Sequence, residues 1–173
     1  MKLCLNVGSG QRPFKTTESH EWVNIDKVVH EGMPCPDLLC DGSQLPYHDE
    51  SVDHVVLHHC LEHEGCNEGL PLIREAHRVL KIGGTLQVYV PDMQALATGW
   101  LQGRIDTQVY LTCVYGAYMG HESDRHKWGF NSPSLNLFLY QIPSWKETHT
   151  PCLLIPGSDC AHDWWILEIE AVK

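Results

Sequence analysis

Leu3-Cys4-Leu5-Asn6-Val7-Gly8-Ser9-Gly10 opens the chain with a short apolar run that breaks into a glycine turn. Gly8 and Gly10 carry no side chains, so backbone there can pass close to a bound ligand. Working outward, Trp22-Val23-Asn24-Ile25 is a second run closed by Asp26, and Leu38-Leu39-Cys40 a third closed by Asp41-Gly42. A glycine turn after one strand and carboxylates after the next two describe an adenosine-containing cofactor laid across strand ends. Asp26 stands where a carboxylate accepts both ribose hydroxyl protons. Asp41 adds an acceptor suited to an exocyclic adenine amine.

Val52 to Leu57 is a fourth run, and all four read as buried parallel strands, being short, apolar and largely β-branched. Leu70, Ile73, Ala76, His77 and Leu80 recur at helical spacing, with Gly83-Gly84 expected as the left-handed stop. Thr85 to Val90 supplies a fifth strand. Ser132 is expected to cap a later helix with Pro133 at its first position; Leu135, Phe138, Leu139 and Ile142 line one face, and Pro143 ends it. Trp165 to Glu170 alternates apolar with acidic residues, as an antiparallel strand with one wet face would. The expectation is one α/β domain over residues 1–173, a doubly wound, Rossmann-like, mostly parallel sheet with an antiparallel C-terminal strand.

Charge and composition narrow the function. With 22 acidic against 12 basic residues the net charge is -10, opposed to the phosphate-neutralising surface that nucleic-acid binding needs. No apolar stretch approaches the ~18 residues of a membrane span, and residues from Lys2 onward read as a strand and not as a signal peptide. The eight cysteines form no C-x-x-C pair, and several lie in apolar runs, which fits a reducing cytoplasm.

Asn6-Val7-Gly8-Ser9-Gly10, Asp26, Asp41, Val52-Asp53, Leu61-Glu62-His63 and Arg78-Val79-Leu80-Lys81-Ile82-Gly83-Gly84 together resemble the class I S-adenosylmethionine-dependent methyltransferases. Residues 2 to 92 carry the resemblance, and the Arg-Val-Leu-Lys-x-Gly-Gly segment is its most specific piece. Trp22-Val23-Asn24-Ile25-Asp26 and His126-Lys127-Trp128-Gly129-Phe130 are similar to a compact, type 11-like subgroup associated with glycan or small-metabolite methylation. The resemblance implies a minimal class I fold with S-adenosylmethionine as cofactor. It implies Asn6, Gly8, Ser9 and Gly10 around the methionine and sulfonium, Asp26 on the ribose, and Asp41 and Gly42 at the adenine. It also puts His58 and His59, just past strand four, beside the reacting methyl.

Many relatives have an acidic residue where Asn6 stands and a helix between the glycine turn and strand two. Gln11 to Glu21 is short for that helix, and connectors 27–37 and 42–51 also read as helix-free. One face of strands one to three then needs another cover, by a late segment or a second copy in a homodimer. Residues 93–131 are the expected lid and substrate region, with Trp100, Tyr110, Tyr115, Tyr118, Trp128 and Phe130 set among Gly103, Gly116, Gly120 and Gly129.

Methyl transfer from a sulfonium is an in-line displacement in which alignment counts most. For a hydroxyl acceptor a histidine near neutrality could take the proton, and His58, His59 and His126 are the candidates. Arg125, His126 and Lys127 could hold an anionic or hydroxyl-rich acceptor. Glu62 and His63 are read first as structural. No metal is expected: His59 and His63 have a spacing zinc can use, with Cys60, Glu62 or Cys66 beside them, but the chain lacks both a paired-cysteine spacing and an acidic pair after strand four. A nicotinamide oxidoreductase wants a third glycine where Pro13 stands. The remaining alternative is a non-catalytic methyltransferase-like module that binds cofactor or a partner protein.

Overall fold

The computed structural model describes residues 1–29, 31–117, 121–142, 145–149 and 165–173. Tyr118, Gly120, Pro143, Cys152 and Cys160 lie outside them. Seven strands form one sheet: β1 (Lys2–Val7), β2 (His20–Asp26), β3 (Leu38–Leu39), β4 (Val52–His58), β5 (Leu80–Pro91), β6 (Glu147–His149) and β7 (Ile166–Val172), in the order β3-β2-β1-β4-β5-β7-β6. β1 to β5 pair in parallel, and β7 runs antiparallel between β5 and β6. This is the Rossmann-like, mostly parallel sheet with an antiparallel C-terminal strand that the alternation predicts. Strand order reverses between β1 and β4, so the loops leaving those two strands diverge and open a crevice at their C-terminal ends.

The register sorts side chains by chemistry. One face carries the rows Val23, Leu5, Val55, Leu86, Ala171 and Ile25, Val7, Leu57, Val88, Ile169. Helices α1 (Gly69–Val79) and α4 (Ser132–Leu139) bring Ile73, Ala76, Val79, Leu135 and Leu139 into the same core. Each fully buried aliphatic side chain here contributes roughly 1.5–3 kcal/mol. The opposite face is polar in its rows Asn24, Asn6, Val56, Gln87, Glu170 and His58, Tyr89, Glu168. No helix follows β1, β2 or β3 among the described residues.

Where a helix might follow β1, the chain from Gly10 to Thr17 is tied to the polar face by two asparagines. Asn24 Nδ2 donates to Phe14 O at 3.0 Å and its Oδ1 accepts from Phe14 N at 2.7 Å, while Asn6 Nδ2 donates to Arg12 O at 2.9 Å and to Asn24 Oδ1 at 3.0 Å. Phe14 packs edge-on against Trp22 at 4.7 Å.

Three local expectations change. Gly83-Gly84 does not stop α1: the helix ends at Val79, Leu80 is already extended, and the glycines lie inside β5, where Gly83 takes φ 80°. The register with β4 shifts there, and Gly83 N and Gly84 O bond the backbone of Lys173. A bulge needs the same left-handed residue as a helix stop, so local sequence does not separate them. The cap of α4 is Asn131, one residue earlier than Ser132, with its Oδ1 accepting from Ser134 N at 3.0 Å. Ser132 is instead the first helical residue and Pro133 the second. The expected wet face of β7 is partly closed, because Glu168 is buried and accepts from Tyr89 Oη at 2.9 Å.

Candidate functional site

Two cavities open in the crevice beyond β1 and β4. The smaller, about 220 Å³, is lined by Gly8, Gly10, Asp26, Asp41, Gly42 and Leu72 among others. The larger, about 440 Å³, is lined by Ser9, His58, Glu62, Thr112, Cys113 and His126 among others. Gly8, Gly10, His59, His63 and Asp124 border both. The order of segments along the chain thus becomes one continuous hollow.

The glycine turn is built for close approach. Gly8 takes φ 74°, and a Cβ on it would collide with Cys60; Gly10 takes φ 42°, and a Cβ there would meet only Gly8 O at 4.0 Å. Asp26 Oδ2 accepts from Gly10 N at 2.9 Å and Oδ1 from Val28 N at 3.1 Å, so each oxygen keeps a lone pair for a ligand hydroxyl. Asp41 Oδ1 accepts from Ser43 N and Oγ, both at 2.8 Å; the Ser43 backbone N–H, then its hydroxyl, hold the carboxyl below its ordinary range and keep it ionised. Lys27 Nζ reaches Glu64 Oε1 at 2.6 Å, both on the wall of the smaller cavity. Asn6 lines neither cavity, being fully buried beneath the loop it fastens.

The exit of β4 supplies the histidines. His58, 6% exposed, is the last strand residue, and burial first, then the neighbouring His59 and Arg12 charges, push its pKa down to about 3. It is neutral at physiological pH and a weak proton acceptor. His59 follows at φ 54°, a left-handed conformation that a non-glycine residue holds at a cost of about 1–3 kcal/mol. Its Nδ1 lies 2.9 Å from Glu62 Oε1 in the 3₁₀ turn Leu61–His63. Burial opposes ionisation of Glu62, but the hydrogen bond from His59 and the three neighbouring histidines outweigh it and depress its pKa.

His126 arrives from the other side of the crevice. Helices α2 (Met93–Leu101) and α3 (Thr107–Tyr115) form a hairpin held by Trp100 stacked on Tyr110 at 4.9 Å. Gly116, at φ 83°, then turns the chain where a Cβ would strike Asp124 O. His126 N bonds Tyr115 O at 3.0 Å, and Lys127 N and Trp128 N bond Glu62 O at 2.8 and 3.1 Å. This latch brings His126 Nε2 to 4.0 Å from Glu62 Oε1. Burial, ahead of all other influences, lowers the His126 pKa.

From 93–131 it is Thr112, Cys113, Ala117, Asp124 and His126 that face the larger cavity. The aromatics expected there serve elsewhere: Trp100 and Tyr110 fix the hairpin, Phe130 packs on Phe138 in the core, and Tyr115 and Trp128 are exposed. Arg125 pairs with Glu122 at 3.0 Å on the surface. Glu62 and His63 read as structural in sequence yet line the larger cavity.

Residues 18–88 match the family profile described as methyltransferase domain. That stretch runs from just before β2 through most of β5, and over it the chain is similar to the methyltransferase-domain family. Its fold is shared by a SAM-dependent methyltransferase from Archaeoglobus fulgidus, at 13% identity and TM-score 0.63 over 99% of this chain and 86% of that one. A second similar structure, a SAM-dependent methyltransferase from Methanosarcina mazei, gives 17% and 0.56 over 99% and 91%. A third is the 1,6-didemethyltoxoflavin-N1-methyltransferase of Burkholderia thailandensis, with bound 1,6-didemethyltoxoflavin and S-adenosylhomocysteine, at 15% and 0.59 over 99% and 71%. No curated protein matches the sequence. The open space above Gly10 and the spare lone pairs of Asp26 fit S-adenosylmethionine. No helix among the described residues is long and apolar enough to cross a membrane.

Proposed function

We propose that this methyltransferase domain moves the methyl group of S-adenosylmethionine onto an oxygen of a sugar or small metabolite, with His59 taking the acceptor's proton. The observation that carries the reading is His59 itself, an imidazole at the junction of two cavities with Nδ1 bonded to a buried carboxylate. Bound S-adenosylmethionine supplies an electrophilic methyl carbon on a sulfonium sulfur. Asp26 accepts from the ribose hydroxyls and ionised Asp41 from the adenine amine, while Gly8, Ser9, Gly10 and Gly42 offer backbone at close range. Asn6 acts from beneath by holding the loop.

The acceptor occupies the larger cavity with its hydroxyl toward Nε2 of His59. Transfer would form the C–O bond as the methyl–sulfur bond breaks, with S-adenosylhomocysteine as leaving group; Nε2 of His59 would take the hydroxyl proton, and Glu62 would stabilise the resulting imidazolium through Nδ1–H. His58, neutral, lines the wall behind, and His126 closes the acceptor side. Residues 93–131 act as the acceptor cover, held by Gly116 and the latch onto Glu62. The Burkholderia thailandensis enzyme, crystallised with a small acceptor, supports the small-molecule part of this reading. A net charge of -10 speaks against nucleic acid.

A cytoplasmic homodimer is the form we propose for the molecule. No disulfide joins two described cysteines, and Val29 and Leu39 stay exposed at the sheet edge where helix-free connectors give no cover. Sedimentation across a concentration series tests the dimer, and a monomer throughout would end it. For the chemistry, the protein is incubated with S-adenosylmethionine and panels of sugar and metabolite acceptors, and S-adenosylhomocysteine release is read by mass spectrometry. Product from the natural sequence that falls sharply in His59→Ala is the expected result; undiminished product in the variant sinks the role of His59. Cofactor binding without product from any acceptor would favour a non-catalytic module.

A further inference from the structure

The carboxylate of Glu62 is 1% exposed, and only one of its oxygens is used. Oε1 meets His59 at 2.9 Å, whereas Oε2 is buried with no hydrogen-bond partner among the described residues. An unpaired carboxylate oxygen away from water is costly unless a cation or donor meets it. Two imidazoles stand beside it. His126 spends Nδ1 on Cys113 O at 2.8 Å, which fixes its tautomer and leaves the Nε2 lone pair turned toward Glu62. His63, with Nδ1 3.3 Å from Arg125 O, packs edge-on against His126 at 4.7 Å between ring centres. One ligating atom from each of Glu62, His63 and His126 lies within 4.8 Å of the others.

We propose that Glu62, His63 and His126 bind a divalent transition-metal ion of the zinc class, with an open coordination position facing the larger cavity. Two neutral imidazole nitrogens and one carboxylate oxygen are the ligand set such an ion takes when a fourth position is left for water or substrate. Bonds of about 2.0–2.2 Å put tetrahedral ligands roughly 3.4 Å apart, so side-chain rotations closing the cluster by up to about 1.4 Å complete it. Backbone carbonyls of Cys113 and Arg125 against the histidines are the outer support that metal-bound imidazoles use. His59 is the corresponding support for the carboxylate. The site was not legible from spacing, because its third ligand comes from position 126.

All three ligands line the cavity assigned to the acceptor. Resting on the methyl-transfer reading, the open position would take the acceptor's oxygen, favouring hydroxyl groups that also offer a neighbouring carbonyl or second hydroxyl. The metal binding itself does not depend on that reading.

The test uses the full chain, purified without an affinity tag and stripped with chelator. Zn²⁺ alone is titrated against a chromophoric competitor, and Co²⁺ is added separately to read its visible ligand-field bands. Expected are one Zn²⁺ per chain, a low-symmetry Co²⁺ spectrum, and affinity at least about 100-fold weaker in His63→Ala and His126→Ala but unchanged in the surface control His48→Ala. A zinc-induced rise in melting temperature for the natural sequence, absent in His126→Gln, guards against misfolded variants. No binding, or binding retained in both His63 and His126 variants, overturns the proposal. Metal binding without methyl transfer would leave it standing while the catalytic reading fails.

Discussion

Nδ1 of His59 lies 2.9 Å from Oε1 of Glu62, joining a cavity-lining imidazole to a carboxylate sealed from solvent. The bond fixes the ring of a residue that borders both cavities. His59→Ala is expected to lower the methyl-transfer kcat by about 10²–10⁴-fold. Glu62→Gln, which keeps the shape and loses the charge, should fall between that variant and the natural sequence. Single-turnover kinetics on whichever acceptor the panels identify check both, and equal rates for all three proteins would refute the pairing's role.

Asp26 holds the turn and is the ribose acceptor we propose. Asp26→Ala removes the acceptor for Gly10 N and Val28 N as well as that proposed contact, so S-adenosylmethionine should bind about 10–100-fold more weakly. Titration calorimetry with S-adenosylmethionine and S-adenosylhomocysteine reads this directly, with NAD as a competitor expected to do nothing.

Gly8 is constrained twice, by φ 74° and by Cys60 against the position of a Cβ. Gly8→Ala should cost about 1–3 kcal/mol of stability. For a chain of this length that lowers the Tm by roughly 2–4 °C per kcal/mol, visible by calorimetry. Gly10→Ala, with room for its Cβ, should cost less.

His58 makes stability depend on pH with a definite sign. Its folded pKa of about 3 lies below the ordinary 6.5, chiefly through burial, with His59 and Arg12 adding to the shift and Glu62 opposing it. Between those values the unfolded chain binds the proton and the folded chain does not. Stability is therefore full above about pH 6.5 and lost as pH falls toward 3, by at most ~1.4 kcal/mol per pH unit from this group. Denaturant titrations should show the advantage of the natural sequence over His58→Phe shrinking as pH drops through that window; parallel curves would contradict it.

Arg78 is the hub of the connector between Asp41 and β4. It donates to Leu45 O at 3.1 Å, Tyr47 O at 2.9 Å, Asp49 Oδ1 at 2.6 Å and both oxygens of Glu75, tying the connector after Asp41 to α1. Arg78→Ala leaves the Tyr47 carbonyl without its donor, while the Leu45 carbonyl keeps the bond from Tyr47 N, and should destabilise by about 1–3 kcal/mol. A loosened connector should also raise the cofactor Kd, which separates this variant from a merely less stable one such as Ile73→Val.

Alternation and short apolar runs determined β1 to β5 and β7, though not the three-residue β6, because a period of two fixes which side chains share a face once a strand pairs. The same reading determined that Gly8, Gly10, Asp26, Asp41 and His59 gather at one crevice, since parallel strands bring their C-terminal ends to one edge. Tertiary structure alone decided that Gly83 makes a bulge, that Asn6 fastens a loop instead of lining a cavity, and that Trp100 and Tyr110 brace a hairpin. It alone brought His126 across 64 positions to Glu62, through Gly116 and two backbone bonds to the Glu62 carbonyl. Local preferences write elements into sequence; contacts between elements depend on packing geometry that no single stretch contains.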